Sequence, residues 1–215
     1  MKYLTEFVGT FLFLLVIALV GPSGTPIAPI AIGCALMVMV YMGGAISGAH
    51  YNPAVTLGLA SVRKMPASDV IPYILCQLCG GILAFLIGGW LYKSGGIHPG
   101  EGVDGSKAFI TEVLFTMALV LVVLNVACTK KTAGNSYFGL AIGFTIVVAA
   151  AGGGPISGGA FNPAVGISAT VADVVFRHTG WSDLWLYIVG PIVGGLIAAL
   201  IWRLQHPEEA TDNAA

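Results

Sequence analysis

Charge is what this sequence has least of: Asp, Glu, Lys and Arg make up 9% of its 215 residues, where a soluble domain carries roughly a quarter. Hydrophobic residues make up 57%, more than one water-soluble core of this size could hide. The few charges nearly cancel, to a net −1, and they form no basic patch, which excludes nucleic acid as a partner. There are four cysteines, Cys34, Cys76, Cys79 and Cys128, all within or at the end of apolar runs. The Cys76-x-x-Cys79 pair has no companion His or acid, so it reads as packing and not as a redox or metal site. No nucleophile–base pair, metal cluster or cofactor loop stands out, so we expect no enzyme, no cofactor and no metal. Gly152-Gly153-Gly154-Pro155 lacks the Lys and Ser/Thr of a phosphate loop and reads instead as a turn in the chain.

What is present is membrane-length hydrophobicity. Apolar runs near 4–20, 27–45, 70–92, 108–128, 136–153 and 182–203 each suit a helix across a ~30 Å hydrocarbon layer. Lys2 precedes the first run, but Glu6 interrupts it and further spans follow, so it reads as an uncleaved helix. With six spans, both termini share one side. That side receives Lys2, Arg63, Lys64, Lys130, Lys131 and Arg203, against Lys93, Lys107 and Arg177 on the other, which predicts cytoplasmic termini in a plasma membrane. Trp181, Trp185 and Tyr187 read as interfacial anchors, and 206–215 as a polar, disordered tail.

The chain also repeats itself. Residues 46–58 read ISGAHYNPAVTLG and 156–168 read ISGGAFNPAVGIS. Glu6-Phe-Val-Gly-Thr-Phe matches Glu112-Val-Leu-Phe-Thr-Met, and Cys79-Gly-Gly-Ile matches Val193-Gly-Gly-Leu. Each half, about 1–100 and 106–205, thus holds three spans and one Asn-Pro-Ala segment within a single domain, 1–205. Three is odd, so the second half enters from the opposite side and the repeat is inverted.

Asn is a favoured N-cap and Pro a favoured first helical residue, so each motif starts a helix. From Asn52 to about Ser61 that helix is ~15 Å long, half a membrane; Asn162 opens a matching one. The predicted fold is all-α: six spans plus two half-helices meeting head to head. Asn52, Pro53, Ala54, Asn162, Pro163 and Ala164 then form the centre of a pore, with amide donors at a positive electrostatic peak. The carbonyls of Gly48, Ala49, His50, Gly158, Gly159 and Ala160 supply acceptors along the approach. Donors at the centre and acceptors at the flanks turn water oppositely in the two halves, which interrupts proton hopping.

Two Asn-Pro-Ala motifs in inverted repeats, each preceded by Ser-Gly, closely resemble the aquaporin, or major intrinsic protein, family over about residues 3–205. The resemblance implies a homotetramer in the lipid bilayer with one pore per chain. It also implies a four-position filter on the extracellular side of the Asn pair: Ile32, Ala150, Gly159 and Val165. Water-selective members carry an aromatic, a His, a small residue and an Arg there, and this chain departs at three of the four. Glycerol-facilitating members keep the Arg, usually followed by Asp; here Val165 precedes Gly166. An Ile/Ala/Gly/Val ring is wide and apolar, so the expected cargo is water and small uncharged solutes: glycerol, urea or metalloid acids such as arsenous acid. A water-selective pore constricted elsewhere is the alternative, with a proton-coupled transporter behind it.

Glu6 and Glu112 are intramembrane carboxylates, either a proton relay or acceptors for the buried backbone of the Asn-Pro-Ala loops. Their matching repeat positions and the resemblance favour loop support. His50 reads as a loop brace or a gate, and His98, His178 and His206 as solvated residues.

Overall fold

The structure, a computed structural model, describes residues 1–92, 96–178 and 180–212. Lys93, counted above for orientation, lies outside them. The chain forms α1 (Lys2–Val20), α2 (Ala28–Ser47), α3 (Pro53–Ser61), α4 (Ala67–Tyr92), α5 (Gly105–Val123), α6 (Phe138–Ser157), α7 (Pro163–Arg177), α8 (Leu184–Gln205) and α9 (Pro207–Asp212). Among the described residues there is no strand. Six helices are long and apolar enough to cross a membrane: α1, α2, α4, α5 with its π-helical extension to Cys128, α6 and α8. Their outer faces keep large apolar residues exposed, such as Ile71, Trp90 and Leu200, as expected where lipid tails replace water.

The packing repeats with the sequence. In one half α1 packs on α4, and in the other α5 packs on α8; α2 and α6 meet across the repeat. The half-helices cross over, so α3 packs on α8 and α7 packs on α4. Paired glycines permit this closeness. A Cβ on Gly80 would lie 2.5 Å from the Phe7 carbonyl oxygen, and one on Gly194 would strike the matching Val113 carbonyl.

Several local expectations change. Gly152 to Pro155 lie inside α6 and form no turn; the apolar helix runs on to Ser157 and stops only at Gly158, whose φ of 90° suits glycine. The second half-helix has 15 residues against nine in the first. Pro66 closes off helix soon after Ser61, whereas 169–177 carries no breaker. Tyr187 is no interfacial anchor: it is buried and donates its hydroxyl to the Ser157 carbonyl (2.7 Å), while Trp181 and Trp185 are exposed.

The tail is not wholly irregular. Residues 207–212 form α9, in which Glu209 accepts from Lys64 Nζ (2.8 Å) and from the Lys130 backbone N–H (2.9 Å). His206 is engaged as well, against the Trp202 ring and within 2.9 Å of Asn125 Oδ1. Burial alone would raise the Glu209 pKa, but these two donors outweigh it and hold the carboxyl below its usual range.

Two predictions follow from the packing. Gly80→Leu and Gly194→Leu each force a helix pair apart, at a cost of about 1–3 kcal/mol, read as a lower unfolding temperature in detergent. A depressed carboxylate stabilises the fold above its unfolded pKa and loses that contribution as pH falls through the folded value. Docking of α9 is therefore complete at neutral pH and released below the ordinary glutamate value of 4.5, seen as faster amide exchange in 207–212. Glu209→Gln shows the fast exchange already at neutral pH.

Candidate functional site: a central passage at the Asn-Pro-Ala junction

Each half-helix begins as its residues dictate. Asn52 and Asn162 sit in extended backbone, and their side-chain Oδ1 atoms accept from the N–H of Ala54 and Ala164, both at 2.9 Å. Pro53 and Pro163 take the first helical position, where no N–H is needed. The other end of each amide reaches across the repeat. Asn52 Nδ2 donates to the Phe161 carbonyl and Asn162 Nδ2 to the Tyr51 carbonyl, again both at 2.9 Å. One hydrogen of each NH2 group is thus committed, and the second is left available as a donor. Both asparagines line the narrow central cavity.

The loops entering these helices are strained and heavily tethered. Ala49, Tyr51 and Phe161 have φ of 52°, 49° and 49°, left-handed values rare outside glycine. Two buried carboxylates hold them. Glu6 Oε1 accepts from Ser47 Oγ (2.6 Å) and the His50 N–H (3.0 Å), and its Oε2 accepts from the Tyr51 N–H (2.9 Å) and Gln77 Nε2 (2.8 Å). Glu112 Oε1 accepts from Ser157 Oγ (2.7 Å) and the Ala160 N–H (3.0 Å), and its Oε2 from the Phe161 N–H (2.6 Å). Tyr73 and Tyr187 add matching hydroxyl bonds, both 2.7 Å, to the Ser47 and Ser157 carbonyls.

Three cavities lie in series along this junction. On the side of the N-terminus a cavity of about 650 Å³ is lined by Lys2, Lys64, Asp69, Tyr73 and Gly48, among others. The central passage, about 40 Å³, is lined by Phe13, Leu36, Ala49, Tyr51, Asn52, Ala160, Phe161 and Asn162, with further aliphatic residues. A far vestibule of about 310 Å³ opens beside Ile97, Gly158 and Arg177. His50, Val123 and Ile142 line both the first cavity and the passage, forming an inner neck. Ile17, Ile32, Ala150 and Gly159 line both the passage and the far vestibule, forming an outer neck. His50 faces the inner neck with Nδ1 3.1 Å from Thr56 Oγ1 and its ring against Tyr73.

Three of the four expected filter residues therefore meet at the outer neck. Val165 does not: it is fully buried and lines neither cavity. Pro53, Ala54, Pro163 and Ala164 are buried as well, acting as the first turns of the half-helices and not as lining. Gly48, Ala49, His50, Gly158, Gly159 and Ala160 each line at least one of the three cavities.

Sequence reasoning missed a polar cluster beside the far vestibule. His98 bridges two acids, with Nε2 2.9 Å from Asp173 Oδ2 and Nδ1 3.3 Å from Asp183 Oδ2, and Arg177 approaches Asp173 at 3.8 Å. The i, i+4 spacing of Asp173 and Arg177 was a legible signal, but His98 is 75 residues from its partner and only the fold joins them.

Chemically, the arrangement sets two helix N-termini, each worth roughly half a positive charge, around a spot that also presents amide donors. Such a field disfavours a cation at that spot, and the amides offer donors to a neutral hydrogen-bonding molecule.

Comparison with known proteins agrees. The family model "Major intrinsic protein" matches residues 1–202. The chain is 35% identical to Aquaporin AqpM of Methanothermobacter thermautotrophicus, over 89% of this chain and 82% of that protein. It is also 35% identical to Glycerol uptake facilitator protein-like 6 of Lactiplantibacillus plantarum, over 97% and 99%. Among solved structures, the aquaglyceroporin from Plasmodium falciparum shares the fold with a TM-score of 0.83 over 98% of both chains, at 21% identity. Six apolar spans, the crossed Asn-Pro-Ala helices and these matches lead to one conclusion: the chain belongs to the major intrinsic protein family, whose members are membrane channels for water and small solutes and not enzymes.

Proposed function

We propose that this chain passes glycerol, urea and metalloid acids such as arsenous acid, along with water, passively and without coupling to an ion gradient. The observation that carries this reading is the outer neck, where Ile17, Ile32, Ala150 and Gly159 stand without a charged or aromatic side chain. Such a ring offers solutes a hydrocarbon wall and the backbone of Gly159, with no cation to compete for space or hydrogen bonds. The name of the Lactiplantibacillus plantarum relative, a glycerol uptake facilitator-like protein, supports glycerol. The six cationic residues assigned to the terminal side, against three opposite, support cytoplasmic termini, and the family resemblance supports a homotetramer.

One observation favours a narrower reading. The central passage of about 40 Å³ has room for only a short file of waters, which suits a water-selective pore constricted at the asparagines. A coupled transporter fits less well. Every oxygen of Glu6 and Glu112 already accepts a loop or side-chain hydrogen bond, so these carboxylates act as braces and not as a proton relay.

Stopped-flow light scattering on proteoliposomes separates these readings. The wild type is expected to pass glycerol, urea and arsenous acid with flux linear in the gradient, and Ala150→Phe to cut glycerol flux roughly tenfold by filling the outer neck. Water flux alone would establish the narrower reading. Glu112→Gln replaces one acceptor oxygen by a donor facing the Phe161 N–H, at a cost of about 1–3 kcal/mol. Its expected effect is lower thermal stability with flux that stays insensitive to an imposed pH gradient. Saturable uptake driven by that gradient in the wild type, and lost in the variant, would reinstate the transporter.

A further inference from the structure

We infer that Ile17 of α1 is a solute-selecting residue of the outer neck and takes the wall position that the family resemblance implies for 165. This inference deepens the channel reading above and rests on it. The neck is located by shared lining: the only four residues common to the central passage and the far vestibule, among those described, are Ile17, Ile32, Ala150 and Gly159. They come from four separate segments, namely α1, α2, α6 and the loop before α7. Val165 has no accessible surface, whereas Ile17 is only partly buried.

The physical reason lies in side-chain length and in the neighbours of α7. Gly166 presses against Tyr187, since a Cβ there would collide with that ring's base, so the first turn of α7 is packed tightly against α8. A valine in that turn is short and fills the packing behind the wall without reaching through it. The opening left at the neck is lined instead from the last full turn of α1. There Ile17 is held by the helix, its carbonyl accepting from the Gly21 N–H at 2.9 Å. Isoleucine is branched at Cβ and strongly restricted at χ1, so it forms a fixed wall and not a flexible flap. Two isoleucines, one methyl group and one glycine backbone then set the aperture. Of these, Ile17 and Ile32 carry nearly all the side-chain volume, so changing either moves the size limit most.

The test uses full-length protein in proteoliposomes, with wild type, Ile17→Ala and Ile17→Trp compared for water, urea, glycerol and a four-carbon polyol. Ile17→Ala is expected to raise the flux of the four-carbon polyol several-fold relative to water. Ile17→Trp is expected to lower glycerol flux roughly tenfold while water falls less. If the wild type passes water alone yet Ile17→Ala admits urea, the neck assignment stands and the broad-solute reading fails. If the flux of each larger solute relative to water is unchanged in both variants, Ile17 is not a selecting residue, whatever the wild type passes. Should the tryptophan variant fold poorly, thiol labelling keeps the question open to refutation. A membrane-impermeant thiosulfonate added from the far side should modify Ile17→Cys beyond the baseline of the four native cysteines, read by mass spectrometry, and leave Val165→Cys unmodified. The reverse labelling pattern overturns the inference.

Discussion

The structure depends on one constraint: irregular backbone at membrane depth must have every polar group satisfied without help from bulk water. The loops before α3 and α7 are such backbone. Their inward N–H groups at residues 50, 51, 160 and 161 are all taken by two carboxylates from the first helix of each half. Without those acceptors each orphaned donor would cost about 1–3 kcal/mol, and the left-handed conformations at Tyr51 and Phe161 would have nothing to hold them. Only when the loops are fixed can Asn52 and Asn162 reach across and bond the opposite loop's carbonyl. The two halves are therefore locked to each other by the same residues that cap the half-helices.

Symmetry in the braces makes the departures from it informative. Gln77 donates to both Glu6 and Thr56, and Thr56 also contacts His50, so the first half carries a connected polar network beside the inner neck. At the matching positions the second half has Pro191, Gly166 and Ala160, none of which has a side chain that can extend such a network. A solute entering from the terminal side meets an imidazole before the asparagines. One leaving on the far side meets aliphatic walls. The polarity of the passage thus differs between its two necks, although the two halves repeat the same order of spans and half-helix.

The far vestibule adds a second asymmetry. Its rim is tied by His98, Asp173, Asp183 and Arg177, while the terminal side is tied by Lys2 with Asp69 and by Lys64 with Glu209. Apart from Glu6 and Glu112, which are buried behind the loops and satisfied by their hydrogen bonds, the ion pairs lie at these rims, and the described side chains lining the passage itself carry no permanent charge.

By itself the sequence determined the solvent, the number of spans, the inverted repeat and the start of each half-helix. These follow from run length, from an internal match and from local capping chemistry, all of which act over a few neighbouring residues. It also singled out Glu6 and Glu112 through their repeat positions, which favoured loop support over a proton relay. The rest needed the tertiary structure. Tyr187 looked like an anchor because its neighbours are tryptophans, yet helix crossing turns it inward to the Ser157 carbonyl. His98 gained its partners from chain more than 70 residues away. Above all, the family resemblance, aligned by the motifs, implied Val165 on the pore wall, and packing of α7 against α8 buried it while Ile17 of α1 came to line the neck. Spacing fixes where a residue lies along a helix; which neighbours crowd it, and so what it faces, is decided only when the helices pack.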